Sequence, residues 1–218
     1  MKKLLLWAVL LSAGSGGAQA QTAIPAGTVA LGGMVGYAHF TNDEPPSATS
    51  GTLSHSYSEN QFQFTPSIGY FVADNLAVGL DLGYLITKRR FDGAGASSTT
   101  TPNEQLRAGA YVQYYKMLTA QFGLVGTLGA GYQHRASDGY RAIDPNDPNV
   151  NVKSNGFYAQ LTPGLIFFPT PKLGISASVG YLGYERMKLK SADRTESDLG
   201  AAFGFDQLLF GGTYYFGR

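Results

Sequence analysis

The chain has 218 residues, 16 Lys and Arg against 15 Asp and Glu, and no cysteine. A formal net charge of +1 leaves no electrostatic footprint for nucleic acid, and the missing thiols exclude a disulfide scaffold, a thiolate metal site and a cysteine nucleophile. Charged residues are only 14%, against roughly a quarter in soluble domains, and 27 Tyr and Phe (14 + 13) are too many for a disordered chain.

The first segment has the parts of an export signal in order. Lys2 and Lys3 precede the apolar run 4–11, and small residues follow to Ala18-Gln19-Ala20. The run is shorter than the about 20 apolar residues that a spanning helix needs. Residues 1–20 are therefore read as a signal peptide, and 21–218 as the mature domain of 198 residues (218 − 20). No later apolar run is long enough for a membrane helix. An exported chain of this kind is soluble, or it crosses a membrane as strands.

The mature chain alternates with period two. Val29, Leu31, Val35 and Tyr37 form one face of the first strand. Phe62, Phe64, Ile68 and Tyr70 do the same in the second, and Leu76, Val78, Leu80, Leu82, Tyr84 and Ile86 in the third. The fourth has Leu106, Ala108, Ala110, Val112 and Tyr114, and the fifth Phe122, Leu124, Leu128, Ala130 and Tyr132. Phe157, Leu161, Leu165 and Phe167 mark the sixth, and Leu173, Ile175, Ala177, Val179 and Tyr181 the seventh. Phe210, Gly212, Tyr214 and Phe216 mark the last, where the opposite parity of Phe203 and Phe205 predicts a bulge near Asp206. The intervening positions are mostly Gly, Ala, Ser, Thr, Gln and Tyr. Such two-faced segments are strands with one apolar and one small or polar side.

The connections alternate as well. Short turns fall at 73–75, 116–119 and 169–172, and long polar loops at 41–58, 91–103, 135–154 and 186–199. Antiparallel strands gather all the long loops at one end, which is the pattern of outer-membrane barrels. Aromatic residues mark the short-turn end: Tyr70-Phe71, Tyr114-Tyr115, Phe167-Phe168 and Tyr214-Tyr215-Phe216. Rings at a common height suit a lipid–water boundary. Tyr70, Phe71, Tyr114, Tyr115, Phe167, Phe168, Tyr214 and Phe216 are assigned to that girdle, and Tyr37, Tyr84, Tyr132, Phe157 and Tyr181 to one at the loop end. Pro66 and Pro163 occupy matching mid-strand places, where each removes a ladder hydrogen bond and predicts a local irregularity.

The expected fold is all-β, an eight-stranded antiparallel up-and-down transmembrane β-barrel. With its signal ending Ala18-Gln19-Ala20, its strand-turn segment Gly69-Tyr70-Phe71-Val72-Ala73-Asp74-Asn75-Leu76 and its ending Phe210-Gly211-Gly212-Thr213-Tyr214-Tyr215-Phe216, the chain resembles the small OmpA/OmpX-like, porin-family outer-membrane barrels of Gram-negative bacteria. The resemblance implies residence in the outer membrane, contact with its lipid and lipopolysaccharide, and recognition of the C-terminal strand by the barrel-assembly machinery. It brings no catalytic residues. Gly217 and Arg218 follow the terminal aromatic that such a strand usually ends on.

Three groups of residues bear on chemistry. His39, His55 and His134 fall in or beside long loops and are read as exposed loop residues. His39-Phe40-Thr41-Asn42 resembles the His-x-Ser-Asn arrangement of lipid A deacylases, with Thr for Ser and no matching carboxylate. Asp144, Asn146, Asp147 and Asn149 cluster oxygen ligands in loop 135–154, without the spacing of an EF-hand, and the sequence leaves calcium open there. Asp81 and Arg107, inward on neighbouring strands, are read as a structural ion pair in the lumen.

The function expected is that of a non-enzymatic, monomeric membrane barrel without cofactor. Its lumen is mostly filled, because eight strands enclose little more than side chains, and its four polar loops are offered to an extracellular partner. A narrow channel for small solutes and a lipid-modifying enzyme are the alternatives.

Overall fold

A computed structural model describes residues 23–44, 55–93, 99–139, 150–190, 194–204 and 208–218. Ten strand segments occur in chain order: β1 (Val29–Glu44), β2 (His55–Ala73), β3 (Leu76–Gly93), β4 (Thr99–Met117), β5 (Phe122–Gly139), β6 (Val150–Thr170), β7 (Leu173–Val179), β8 (Tyr181–Leu189), β9 (Arg194–Ala202) and β10 (Leu208–Phe216). Each of β1 to β6 pairs antiparallel with the next. β6 then pairs with β7 near the short turns and with β8 near the loops, so β7 and β8 are halves of one seventh strand. β9 and β10 are halves of the eighth, and β10 closes on β1 from Val29↔Phe216 to Val35↔Phe210. The result is a closed eight-stranded up-and-down barrel.

The alternation decides which way side chains point. Leu80 is 62% exposed on the outer surface, and Leu124, Val179 and Phe210 are exposed with it. The inner face is small, polar or aromatic. Bulky inward rings need small neighbours: a Cβ at Gly79 would strike the Tyr111 ring.

The strands run further into the polar segments than the sequence suggested. β1 reaches Glu44 and β6 starts at Val150. His39 and His134 are therefore strand residues, not loop residues, and His55 begins β2. The oxygen-rich segment 144–149 lies outside the described residues.

Both strand prolines have a place in the ladder. Phe71 N donates to Thr28 O. Hydrogen-bonded pairs alternate along an antiparallel ladder, so even-numbered residues of β1 bond β2 and odd-numbered ones face its other neighbour. Gly33 pairs with Pro66, so the proline nitrogen faces β3, where the ladder skips from Phe64↔Tyr84 to Ser67↔Asp81 without a register shift. Pro163 faces a larger irregularity. Between Leu161↔Leu182 and Gly164↔Ser178, two residues of β6 oppose three, Val179, Gly180 and Tyr181. That is a bulge, and Gly180 makes it at φ +78°, a conformation that favours glycine.

The bulge reverses the parity of the strand. Ile175 and Val179 point outward before it, and Leu182 and Tyr184 after it. Tyr181 thus faces the lumen, correcting its assignment to an outer girdle. Across from Gly180, the eighth strand breaks between Ala202 and Leu208. The bulge expected near Asp206 lies outside the described residues. Among the described residues no ladder pair joins β1 beyond Val35 to β9.

Candidate functional site

The short-turn end of the lumen is filled. Phe71 and Tyr215 are fully buried at 0% exposure, packed with Tyr115, Phe168, Met117 and Ile24. Ring centroids are 5.4 Å apart for Phe71–Tyr115, 5.2 Å for Phe168–Tyr215 and 6.1 Å for Phe71–Tyr215. The Tyr115 and Tyr215 hydroxyls meet at 3.2 Å, and Tyr115 also donates to Gln113 Oε1 at 2.9 Å. The segment before β1 covers this cluster from below. Ile24 N donates to Asn75 Oδ1 and Asn75 N to Ile24 O, both at 2.9 Å, and Gly27 N donates to Phe71 O at 2.8 Å. Asn75 holds the β2–β3 turn at φ +62°, which Asn tolerates.

These contacts divide the aromatic pairs. Tyr70, Tyr114, Tyr214 and Phe216 stand exposed on the outer surface, with Phe167 half-exposed beside Phe122. Phe71, Tyr115 and Phe168 are buried in the lumen and are not girdle residues. Period two forces this, since adjacent strand residues take opposite faces.

Above the plug lies a cavity of about 460 Å³, lined by Gln61, Gln63, Thr65, Asp81, Arg107 and Glu185 among others. Arg107 organises its far wall. Its Nε donates to Gln133 Oε1 at 3.0 Å and Nη1 to Gln160 Oε1 at 3.1 Å. Nη2 lies 3.8 Å from Glu185 Oε2, and the guanidinium sits 4.8 Å from the Tyr158 ring centroid. Gln133 is wholly buried; its Nε2 donates to Glu185 Oε2 at 2.8 Å. Arg135 adds a second cation to Glu185 at 3.3 Å. Asp81 stands apart and accepts from the Tyr158 hydroxyl at 3.4 Å. The expected Asp81–Arg107 ion pair is therefore not a direct contact. In the β3–β4 register Arg107 lies opposite Gly83 and Asp81 opposite Gly109, and Tyr158 stands between the two charges. The true partner, Glu185, is inward only because the Gly180 bulge turns it there.

A second polar group sits on the outer face near the loop end. His39 Nδ1 lies 2.8 Å from Asn60 Oδ1, and the Tyr37 hydroxyl donates to the same oxygen at 3.0 Å. Thr41 Oγ1 lies 3.1 Å from His39 Nε2. The β1–β2 register places His39 directly opposite Asn60. Sequence reasoning singled out His39 and Thr41 and missed Asn60, whose part depends on the β1–β2 register. His134 and Asn155 form a like cross-strand pair on β5 and β6. Among the described residues no cluster of His, Asp and Glu has the make-up of a metal site.

The chain is similar in sequence and shape to membrane barrels. Residues 8–216 match the outer membrane protein beta-barrel domain. Among solved structures, it is similar to the outer membrane protein OprG from Pseudomonas aeruginosa, at 15% identity over 89% of this chain and 98% of that one, with a TM-score of 0.43. It is also similar to the outer membrane protease OmpT from Escherichia coli, at 9% identity over 89% of this chain and 95% of that one, with a TM-score of 0.32. No curated protein matches it. With an outward apolar face, a lumen packed with rings at its short-turn end and a family match over nearly its whole length, the chain belongs to the outer membrane protein β-barrel domain family.

Proposed function

We propose that the protein is a structural and surface-presenting barrel of the outer membrane whose lumen neither conducts nor catalyses. The observation that carries this reading is the plug of Phe71, Tyr115, Phe168 and Tyr215 across the short-turn end. Two further features support it. The Arg107–Gln133–Glu185 network spends its polar groups on one another. The strands also exceed the about 9–11 residues that a spanning strand needs: β2 has 19 and β6 has 21. The excess carries the loop-end parts of the strands above the membrane, a surface open to lipopolysaccharide and an extracellular partner. Residues 1–20 serve as the export signal, the last strand is read by the assembly machinery, and the barrel acts as a monomer.

Two measurements test this. Purified protein in planar bilayers is expected to show no stable conductance; steady open-channel currents would overturn the sealed lumen. Cysteines at Ser97 and Asn149 are expected to react with an impermeant label on whole cells, and cysteines at Asn75 and Thr170 to stay unlabelled. The reverse pattern would invert the topology.

A further inference from the structure

The walls of the lumen cavity use their polar groups differently. On one wall Arg107, Gln133, Gln160 and Glu185 are bonded to one another. On the other, Gln61, Gln63 and Thr65 stand at every second place of β2, half-buried and facing the same cavity. Among the described residues none of these three side chains has a hydrogen-bond partner. The register gives the reason: opposite them on β1 lie Ala38, Gly36 and Met34, none with a polar side chain to offer. Asp81, on β3 opposite Ser67, has one hydrogen bond, from the Tyr158 hydroxyl at 3.4 Å. Half-buried amides and a carboxylate left in this state must be served by water or by a ligand.

We infer that the β2–β3 wall is a binding site for a neutral saccharide, held above the plug and not passed through it.

The chemistry of the wall selects the ligand. A primary amide offers donors and an acceptor together, a hydroxyl likewise, and a carboxylate only acceptors. An anion would meet Asp81, and Arg107 has already given its donors to Gln133, Gln160 and Glu185. A cation would satisfy Asp81 but leave the amide N–H groups unmet, with the Arg107 guanidinium just beyond Tyr158 to repel it. An alkyl chain would bury the amides dry. Sugar hydroxyls, each a donor and an acceptor, match the run of two amides, a hydroxyl and a carboxylate group for group.

Spacing and space agree with this. With a rise of about 3.3 Å per residue, the run from Gln61 to Thr65 is about 13 Å long, room for one or two sugar rings. The cavity of about 460 Å³ falls within the roughly 300–1,000 Å³ of small-molecule sites. Tyr181 supplies an apolar surface. The Gly180 bulge turns it into the lumen, where it lines the cavity, and the C–H face of a pyranose packs on such a ring. The lining continues from Tyr115 and Tyr215 at the plug to Arg135 and Asp198 toward the long loops, so the sugar enters from the loop end. Binding and sealing are separate properties: a sugar held over a closed plug does not cross the barrel.

The test uses the full folded chain in deuterated detergent micelles and saturation-transfer NMR. The probes are glucose, galactose and maltose, with choline as a cation and acetate as an anion. Native protein is expected to transfer saturation to at least one sugar and to neither ion. Gln63→Leu and Asp81→Asn should each weaken that sugar about tenfold, the loss of one well-placed hydrogen-bonding group. Leu82→Ala, on the lipid face, should leave it unchanged. Heat-dependent gel mobility confirms that each variant is folded, and Gln61→Leu carries the same expectation should either of the first two fail to fold. No sugar signal from folded native protein, equal signal from the folded lumen variants, or binding of choline in place of sugar would overturn the site.

Discussion

At the scale of single residues, Arg107 carries the most consequence. A guanidinium inside a barrel is stable only if its donors are met. Gln133 and Gln160 meet two of them, while Glu185 supplies the charge from 3.8 Å. Arg107→Ala and Glu185→Ala should therefore couple. A double-mutant cycle by urea unfolding in lipid vesicles is expected to give an interaction of about 0.5–3 kcal/mol, the range for residues in one network. Water entering the cavity favours the lower half. Asp81→Ala and Arg107→Ala should couple more weakly than Arg107 and Glu185, because they meet only through Tyr158, which touches both. Strong Asp81–Arg107 coupling with none between Arg107 and Glu185 would reject this wiring. Gln133 is the more fragile member. It is fully buried and bridges both charges, so Gln133→Ala strands polar groups on each side at about 1–3 kcal/mol.

At the scale of elements, the seventh strand shows what a sequence conveys and what it hides. Alternation located eight strands and set which face of β1 to β6 looks outward, but it left the end of β8 and most of β9 (Arg194–Ala202) inside the loop read at 186–199, because their exposed polar residues carry no apolar face. It failed where one residue was added. Read as an unbroken strand, 173–189 puts Tyr181 and Glu185 outside. One bulge at Gly180 reverses both and delivers Glu185 to Arg107. A glycine among many gives no sign that it is the one at positive φ. The aromatic pairs were another matter, because period two already forbids both members from facing lipid. Asn60 was hidden for a third reason: cross-strand partners follow from register, which the intervening loop length does not fix. The bulge carries its own prediction. At φ +78° a Cβ is strained, and at Gly180 it would also meet Ala202 O, so Gly180→Ala should destabilise by about 1–3 kcal/mol. Pro163→Ala should change stability by under about 0.5 kcal/mol, since the ladder there is already interrupted. Unfolding midpoints in urea would show the contrast, and equal losses would remove the bulge as the cause. On the outer face, Leu80→Arg should cost about 2–4 kcal/mol near the midplane, and Gln63→Arg in the wet cavity much less.

At the scale of the whole molecule, the distribution of packing decides what the barrel does. Most buried apolar side chains gather at the short-turn end, and the polar cavity lies above them among Tyr111, Tyr158 and the Arg107 network. A solute moving from the loop end passes Arg135, Glu185, Gln133 and Arg107 before it reaches four interlocked rings with Ile24 beneath them. Opening the first layer alone should not make a channel. Arg107→Ala with Glu185→Ala widens a cavity that still ends on Tyr115 and Tyr215. Opening the second layer alone should admit ions only past the polar network, at small and fluctuating conductance. The two layers therefore act in series, and the whole molecule makes a prediction that neither layer makes by itself. Phe71→Ala with Tyr215→Ala removes two rings of the plug, each pair of which contributes about 0.5–1.5 kcal/mol beyond its buried area, so folding in lipid must first be confirmed by heat-dependent gel mobility. Combined with Arg107→Ala and Glu185→Ala, the plug variant is expected to give stable single-channel currents, while the network pair alone stays silent. Steady currents from the network pair alone would place a path around the rings, and silence from the folded fourfold variant would mean that Ile24 and Met117 suffice to close the barrel.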